Sequence, residues 1–412
     1  MNFKSFHLDP LLLSTIDSLG YVTPTPIQSQ SIPYILSGND VMGLAQTGTG
    51  KTAAFVLPIL QRLLQGPRSC VRALIIAPTR ELAQQIDDTI MALSKGTKLR
   101  SLTLYGGVNI NPQIKKLKNG VEIIVACPGR LLDHLQQRTV DLSKIEVLVL
   151  DEADHMFDMG FLNDIRKILR YLPKKRQTLL FSATMPDAIH DLAHDVLHKP
   201  IKVQIGHSTT ATSVEQLLFP IAPHLKTALL IFILNKINKE SVLIFTRTKH
   251  TAKKVALKLE NAGFKATSLQ GNLSQNKRQI AMDGFRDGSL QILVATDIAS
   301  RGIDVTSISH VINYDIPSTV ETYIHRIGRT GRAAKEGEAF TLITPEDQSQ
   351  VRAIERVLGR KIEQHIFDNF NYAIAAPTPP TRNIMKIATH KPMRQKHPNQ
   401  RNTNQKNKKG DK

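Results

Sequence analysis

Two rhythms of apolar residues alternate along the chain. Short, largely apolar runs stand at Asp40–Leu44, Ala73–Ala77, Glu122–Ala126, Val147–Leu150 and Thr178–Phe181. Runs of this kind fit strands buried on both faces. Between them a helical period emerges: Leu82, Ile86, Ile90 and Leu93 share one face of a helix following Arg80. A small, polar, aperiodic stretch from Gly206 to Ser213 then reads as a linker. Beyond it the alternation resumes. Leu225, Leu229, Phe232 and Ile233 predict one helical stripe, and Ala252, Val255, Ala256 and Leu259 another. Val242–Phe245, Gln291–Ala295, His310–Asn313 and Ala339–Ile343 predict strands. Strands alternating with helices predict an α/β fold of parallel sheets flanked by helices, here as two tandem units. The expected boundaries are 1–205, a linker at 206–213, 214–370, and a tail at 371–412.

Composition adds a partner class. The chain carries 54 Lys or Arg against 35 Asp or Glu, a formal net charge of +19. Ten of those cations lie between Thr381 and Lys412, in a segment nearly free of apolar residues. Such a segment buries too little surface to offset its ordering entropy, so a disordered basic tail is expected. The rest of the chain remains basic, which points to a polyanion, nucleic acid first. No apolar run is long enough to span a bilayer. The start, Met1-Asn2-Phe3-Lys4, leads only to Leu11-Leu12-Leu13 with no cleavage signal, so neither a membrane partner nor a signal peptide is expected. Cys70 and Cys127 stand at no metal-ligand spacing, and free thiols in a cytoplasmic, reducing compartment are expected.

The candidate chemistry begins at Ala45-Gln46-Thr47-Gly48-Thr49-Gly50-Lys51-Thr52, after one predicted strand and before a helix. A glycine-rich loop there aims backbone N–H groups at phosphate, Lys51 adds a positive charge, and the Thr52 hydroxyl suits Mg²⁺. Ala45 stands where the strict phosphate-loop pattern has its first glycine. Further on, the strand Val147–Leu150 runs into Asp151-Glu152-Ala153-Asp154. Asp151 at a strand end is placed to hold Mg²⁺, partly through water, and Glu152 to polarise an attacking water. A charged turn opening a helix is the plain alternative.

With these residues the chain resembles the DEAD-box ATP-dependent RNA helicases, over roughly Phe6 to Ile343 and with the motifs in the family's order. It looks most similar to the bacterial RhlE-like branch. The resemblance implies two RecA-like domains, ATP and Mg²⁺ as cofactors, and RNA gripped by its backbone. Gln28, in the segment Gly20–Gln28, is then expected to read adenine, with Tyr21 stacking on the base and Phe6 nearby. Pro78, Thr79, Arg80, Gly107, Pro128, Gly129 and Arg130 are expected on RNA phosphates and riboses. Cys127 departs from the family's threonine, so a hydroxyl contact is lost there. Ser182 and Thr184 are expected to couple nucleotide state to RNA through Asp154.

In the second half, His325-Arg326-Ile327-Gly328-Arg329-Thr330-Gly331-Arg332 resembles the family's arginine motif. It implies that Arg329 and Arg332 reach the γ-phosphate across a cleft, with His325 in the coupling. Arginines in that role contribute about 10³ to 10⁵ in rate. Arg247, Gly271 and Thr296 are implied on RNA and Asp304 near the ATP ribose. Gln275-Asn276-Lys277-Arg278 is implied in RNA and interdomain contacts. The implied activity is RNA-stimulated ATP hydrolysis with local unwinding of short duplexes or remodelling of RNA–protein complexes. Ribosomal precursors, RNA-decay complexes and cold-stabilised structures are the expected settings. A DNA translocase with the same two-domain engine, and an RNA clamp without turnover, are the rival readings.

Overall fold

A computed structural model describes residues 2–46, 48–205, 214–237, 240–297, 308–330 and 337–375. The expected linker at 206–213 and the basic tail beyond Ala375 lie outside the described residues, as do Thr47, Asp304 and Arg332. The chain divides into Met1–Tyr372, which carries every element described below, and Ala373–Lys412.

Two seven-stranded, all-parallel sheets organise the first unit. In the first half, β1 (Val41–Leu44), β2 (Ala73–Ile76), β3 (Ser101–Leu104), β4 (Ile123–Ala126), β5 (Val147–Leu150), β6 (Gln177–Ser182) and β7 (Ile201–Gln204) align in the order β3-β4-β2-β5-β6-β1-β7. The second half supplies β8 (Val214–Pro220), β9 (Val242–Phe245), β10 (Ala266–Leu269), β11 (Ile292–Ala295), β12 (His310–Asn313), β13 (Gly337–Ile343) and β14 (Glu363–Gln364). Their order is β10-β11-β9-β12-β13-β8-β14. Position by position the second sheet repeats the first, a duplication of topology with no short-period repeat in the sequence. The α/β expectation of two tandem parallel sheets is borne out.

The strands β2, β4, β5, β9 and β11 are apolar throughout because both of their faces are covered. In β5, Val147 and Val149 enter the core on one side, Leu148 and Leu150 the core on the other. Burying such a side chain stabilises by roughly 1.5–3 kcal/mol. The helix predicted after Arg80 spans Arg80–Leu93 and buries Leu82, Ile86, Ile90 and Leu93. The stripe Ala252, Val255, Ala256 and Leu259 is likewise the buried face of the helix Lys249–Asn261. One stripe is corrected. The helix Lys226–Lys236 buries Leu229, Leu230, Ile233 and Leu234, and Phe232 sits beside them instead. Phe232 meets Phe367 and Phe370, with ring centroids 5.2 and 5.5 Å apart, because the chain after β14 folds back over this lobe.

Five strands, β3, β7, β8, β10 and β14, were not predicted. Four of them are the edges of the two sheets. An edge strand needs no continuous apolar run: β3 alternates half-buried and buried, and β7 buries only Val203.

The phosphate-loop strand is packed by a glycine. Gly43 of β1 pairs with Phe181 of β6, and the Phe181 ring lies over it. A Cβ at Gly43 would come 2.5 Å from two carbons of that ring. Phe181 is pinned from beyond by Phe55, with centroids 5.4 Å apart. Gly43→Ala is therefore expected to destabilise the first lobe by about 1–3 kcal/mol through overpacking. Urea unfolding should show a lower midpoint at unchanged slope, and adding Phe181→Leu should recover part of the loss.

Candidate nucleotide site and nucleic-acid groove

The turn after β1 opens the helix Lys51–Leu63, and Gly50 caps it in the left-handed conformation at φ 89°. Gly48 is also left-handed, at φ 83°. Ala45 is not among the residues with positive φ, so an alanine there carries no backbone strain. Its N–H donates to Ser182 O of β6 at 3.0 Å, which ties the loop to the neighbouring strand. Lys51 is buried, and its Nζ donates to Ala45 O at 2.8 Å. The Thr49 hydroxyl closes the loop by donating to Gln46 O at 2.7 Å. Thr52 is half-buried at the second position of the helix. The lysine thus arcs back over its own loop, with a carbonyl as its present acceptor.

Gln28 lies in the helix Pro26–Leu36 and is buried. Its Oε1 accepts from Thr25 N at 3.0 Å, and its Nε2 donates to Gly50 O at 3.1 Å. A Cβ at Gly50 would lie 2.5 Å from that Nε2, so only glycine lets the carboxamide approach the loop. One N–H and one lone pair remain on Gln28, the complement of an adenine N7 and N6 edge. Tyr21 is 37% exposed, whereas Phe6 is buried. Phe3, which the sequence reading did not single out, stands between them. It meets Tyr21 at 6.2 Å and Phe6 edge-on at 5.9 Å.

At the carboxyl end of β5, Asp151, Glu152, Asp154 and His155 are all buried. Asp154 is locked to the turn after β6. Its Oδ2 accepts from Ala183 N, Thr184 N and Thr184 Oγ1 at 3.2, 2.9 and 2.9 Å, while its own N–H donates to Ser182 Oγ at 3.1 Å. Glu152 adopts a left-handed backbone, φ 53° and ψ 54°, which costs a non-glycine residue on the order of 1–3 kcal/mol. Its Oε2 is 2.7 Å from His155 Nδ1.

Electrostatics divide the three carboxylates. Burial pushes the Asp151 carboxyl up, against the pull of Lys51 and with the added push of Glu152. Burial works in the same direction on Glu152 and is outweighed by His155, Lys51 and Arg329, so Glu152 is held below the usual carboxylate range. Asp154 is held low as well, its burial outweighed by His155, Lys51 and His325.

Arg329 and His325 belong to the second lobe, and both are within reach of these carboxylates. The rings of His155 and His325 meet edge-on with centroids 5.6 Å apart. His325 is pushed down to about 4, first by burial and then by the neighbouring His155. A cavity of about 800 Å³ opens here, bounded by Ala45 and Gln46, by Asp154 and Thr184, and by Asp297 and His325. Arg326 has a different part. It holds Asp297 through two bonds of 2.6 and 2.8 Å, donates to Asn313 Oδ1 and Asp315 O, and lies over the Phe245 ring. All of its charge is engaged inside its own lobe.

A second groove is lined by both halves of the chain. Its walls include Pro78, Thr79, Arg80, Gly129 and Arg130 from the first lobe and Gly271 from the second. Thr79 caps its helix by accepting from Leu82 N at 3.2 Å. Arg130 donates to Val108 O at 2.9 Å, which fixes the Gly106-Gly107 loop. Pro128 is buried at the start of its helix, and burial pushes the thiol of the preceding Cys127 up to about 12. Arg247 is exposed, its N–H held by Asp315 Oδ2 at 2.9 Å, and Thr296 is half-buried. Side-chain bonds also join the lobes directly. Arg80 Nη1 donates to Gln275 Oε1 at 2.9 Å, and Arg278 Nε donates to Glu81 Oε1 at 2.6 Å, with Glu81 and Arg278 only 8% and 12% exposed.

Paired RecA-like lobes, a phosphate loop on one and an arginine of the other beside its carboxylates, define a two-lobed nucleotide-driven motor of the helicase class. The chain belongs to the DEAD-box ATP-dependent RNA helicases. The DEAD/DEAH box helicase family matches residues 25–192, and the helicase conserved C-terminal domain matches 225–334. The ATP-dependent RNA helicase CshA of Listeria monocytogenes is 43% identical over 362 residues, covering 88% of this chain and 69% of the relative. RhpA of Helicobacter pylori, a DEAD-box ATP-dependent RNA helicase, is 42% identical over 363 residues, with 88% and 73% covered. Among solved structures, Dbp5 of S. cerevisiae bound to RNA and ADP BeF3 matches with a TM-score of 0.79 at 31% identity, covering 88% of this chain and 95% of Dbp5. Mss116 bound to ssRNA and UDP-BeF matches at 0.80 and 28% identity, with 89% and 79% covered. The family reading is borne out, and with it ATP hydrolysis coupled to RNA unwinding. The narrower RhlE-like placement is not confirmed by these relatives.

His155, Phe3 and Glu81 are the site neighbours that motif reading passed over. His155 directly follows the four-residue motif, and Glu81 lies inside Pro78–Ala83, so position was the available signal. The Glu81–Arg278 pair joins the lobes through two nearly buried charges, where removing one partner strands the other. Glu81→Ala and Arg278→Ala should each slow RNA-stimulated ATP turnover several-fold. The double variant should be no worse than either single one, a coupling of about 1 kcal/mol. Additive losses would show that the two residues act independently.

Proposed function

We propose that the protein clamps single-stranded RNA between its lobes when ATP occupies the first lobe, separates short duplexes locally, and releases the strand on hydrolysis. The observation that carries this reading is the meeting of Arg329 and His325 with the Glu152–His155 pair from the opposite lobe. Hydrolysis then depends on closure, and closure on both ligands. By linkage each ligand raises affinity for the other. Domain boundaries at 1–205, 214–370 and 371–412 go with this reading.

The proposed roles follow from the chemistry of each group. Lys51 exchanges Ala45 O for phosphate oxygens, and the amides of the loop Ala45–Gly50 cradle them. Gln28 and Tyr21 select adenine. Glu152, kept ionised by its neighbours, polarises the attacking water. Arg329, with Arg332 beside it in sequence, stabilises charge on the transferring phosphoryl group. Asp154 passes the state of the site through Ser182 and Thr184 to the groove. Arg80, Arg130 and Arg247, with the backbone at Gly107, Gly129 and Gly271, grip RNA without reading sequence. The donor set fits Mg²⁺: Thr52 offers a hydroxyl and Asp151 a buried carboxyl whose charge lacks full compensation. Among the described residues no cluster of three or more His, Cys, Asp or Glu would hold a metal alone, in keeping with an ion shared with phosphates and water. When bound, the ion supplies neutralisation of phosphate charge.

Opening a duplex costs on the order of 1.4 kcal/mol per base-pair step, with DNA stacking as the guide. Preferential grip on a bent single strand offsets that cost, which favours short helices over long translocation. Ribosomal precursors, decaying messengers and cold-stabilised folds present such helices. Two free cysteines support a cytoplasmic setting. Among the described residues no helix is long and apolar enough to cross a membrane.

Glu152→Gln tests the chemistry. ATP turnover should fall by about 10²–10⁴, while RNA remains clamped in the presence of ATP. RNA should stimulate the native protein strongly and DNA of the same sequence weakly; equal turnover without RNA would sink the clamp. Deleting Thr381–Lys412 should weaken RNA binding and flatten its salt dependence, leaving turnover at saturating RNA unchanged. An identical salt series with and without the tail would remove it from RNA binding.

A further inference from the structure

Glu152 presents a positioning problem. Its backbone is left-handed, so the side chain leaves the turn in a direction that ordinary helix-start geometry does not supply. Something must hold the carboxylate on its target. A residue that touches it is His155, three positions along, buried and 2.7 Å away through Nδ1. An ionised carboxylate only accepts, so Nδ1 carries the hydrogen. His155 is itself fixed from two sides. Its backbone N–H donates to Asp154 Oδ1 at 3.0 Å, and its ring abuts His325 of the second lobe.

We infer that His155 is a positioning residue for hydrolysis: its Nδ1–H aims the Glu152 carboxylate, and its contact with His325 makes that aim depend on the second lobe. This rests on the reading of Glu152 as the water-polarising group. The imidazole itself touches neither phosphate nor water in this role. Its removal should therefore lower turnover and leave substrate affinity in place, because a displacement near 1 Å in such a group costs up to about 10²-fold in rate.

The test is a three-way substitution measured at saturating RNA. Asparagine places an N–H as many bonds from Cβ as His155 Nδ1, whereas glutamine places it one bond further. His155→Ala and His155→Gln should lower kcat by about 10- to 100-fold, with the KM for ATP and the RNA affinity unchanged. His155→Asn should restore most of the loss. The inference is overturned by a His155→Ala variant with native kcat, by asparagine performing no better than alanine, or by losses that track melting temperature across the three variants. Glu152→Gln run alongside separates the two readings. If it still turns over, the role of Glu152 falls and this inference with it. If it is inactive while His155→Ala is native, only the positioning role of His155 fails.

Discussion

Buried negative charge at the carboxyl end of β5 is the constraint around which the molecule is arranged. Asp151, Glu152 and Asp154 are withdrawn from water within four residues, and ionised carboxylates in that setting demand compensation. The first lobe supplies part of it through Lys51, His155 and the amides after β6. The remainder comes from Arg329, which belongs to the other lobe. Glu152 therefore gains part of its compensation only when the halves meet. On the proposed clamp, communication between ATP and RNA needs no long relay, because the contact between lobes that brings Arg329 near Glu152 also sets Arg80 and Glu81 against Gln275 and Arg278 in the groove.

Much of this was legible in the chain, for reasons that differ by element. The central strands β2, β4, β5, β9 and β11 announce themselves because a strand covered on both faces has no polar positions to interrupt it. The sheet edges β3, β7, β10 and β14 lack that signal, since one side of each is solvated. β8 also escaped notice, because Glu215 and Gln216 break its apolar run; Gln216 is buried by accepting from the hydroxyl of Tyr323, a partner 107 residues away. Phe232 was placed on the wrong face because its covering, Phe367 and Phe370, arrives from the far end of the domain.

The site divides in the same way. The phosphate loop, the carboxylates and the turn after β6 are contiguous motifs, and their placement follows from strand ends. Asp304 and Arg332 lie outside the described residues. What motif reading does not reveal is which side chains a motif residue leans on. The Glu152–His155 contact depends on a backbone angle, and Glu81–Arg278 on a separation of 197 residues. Arg326 illustrates the converse. It stands beside Arg329 in the same motif, yet its bonds to Asp297, Asn313 and Asp315 make it a brace within its own lobe.

The repeated strand order has an unequal outcome. Where β1 gives way to a glycine-rich cradle and Lys51, its counterpart β8 gives way to Ile221–Leu225, with Pro223 and no glycine, before the next helix. Of the two architecturally equivalent ports, the first carries the glycine-rich loop and its lysine. On the proposed clamp, the second half is a lid that carries the trigger, and a single nucleotide fuels each closure. A clamp of that kind would have one stroke and no hand-over-hand gait, and the length of duplex it disturbs would be set by the span of its own two halves.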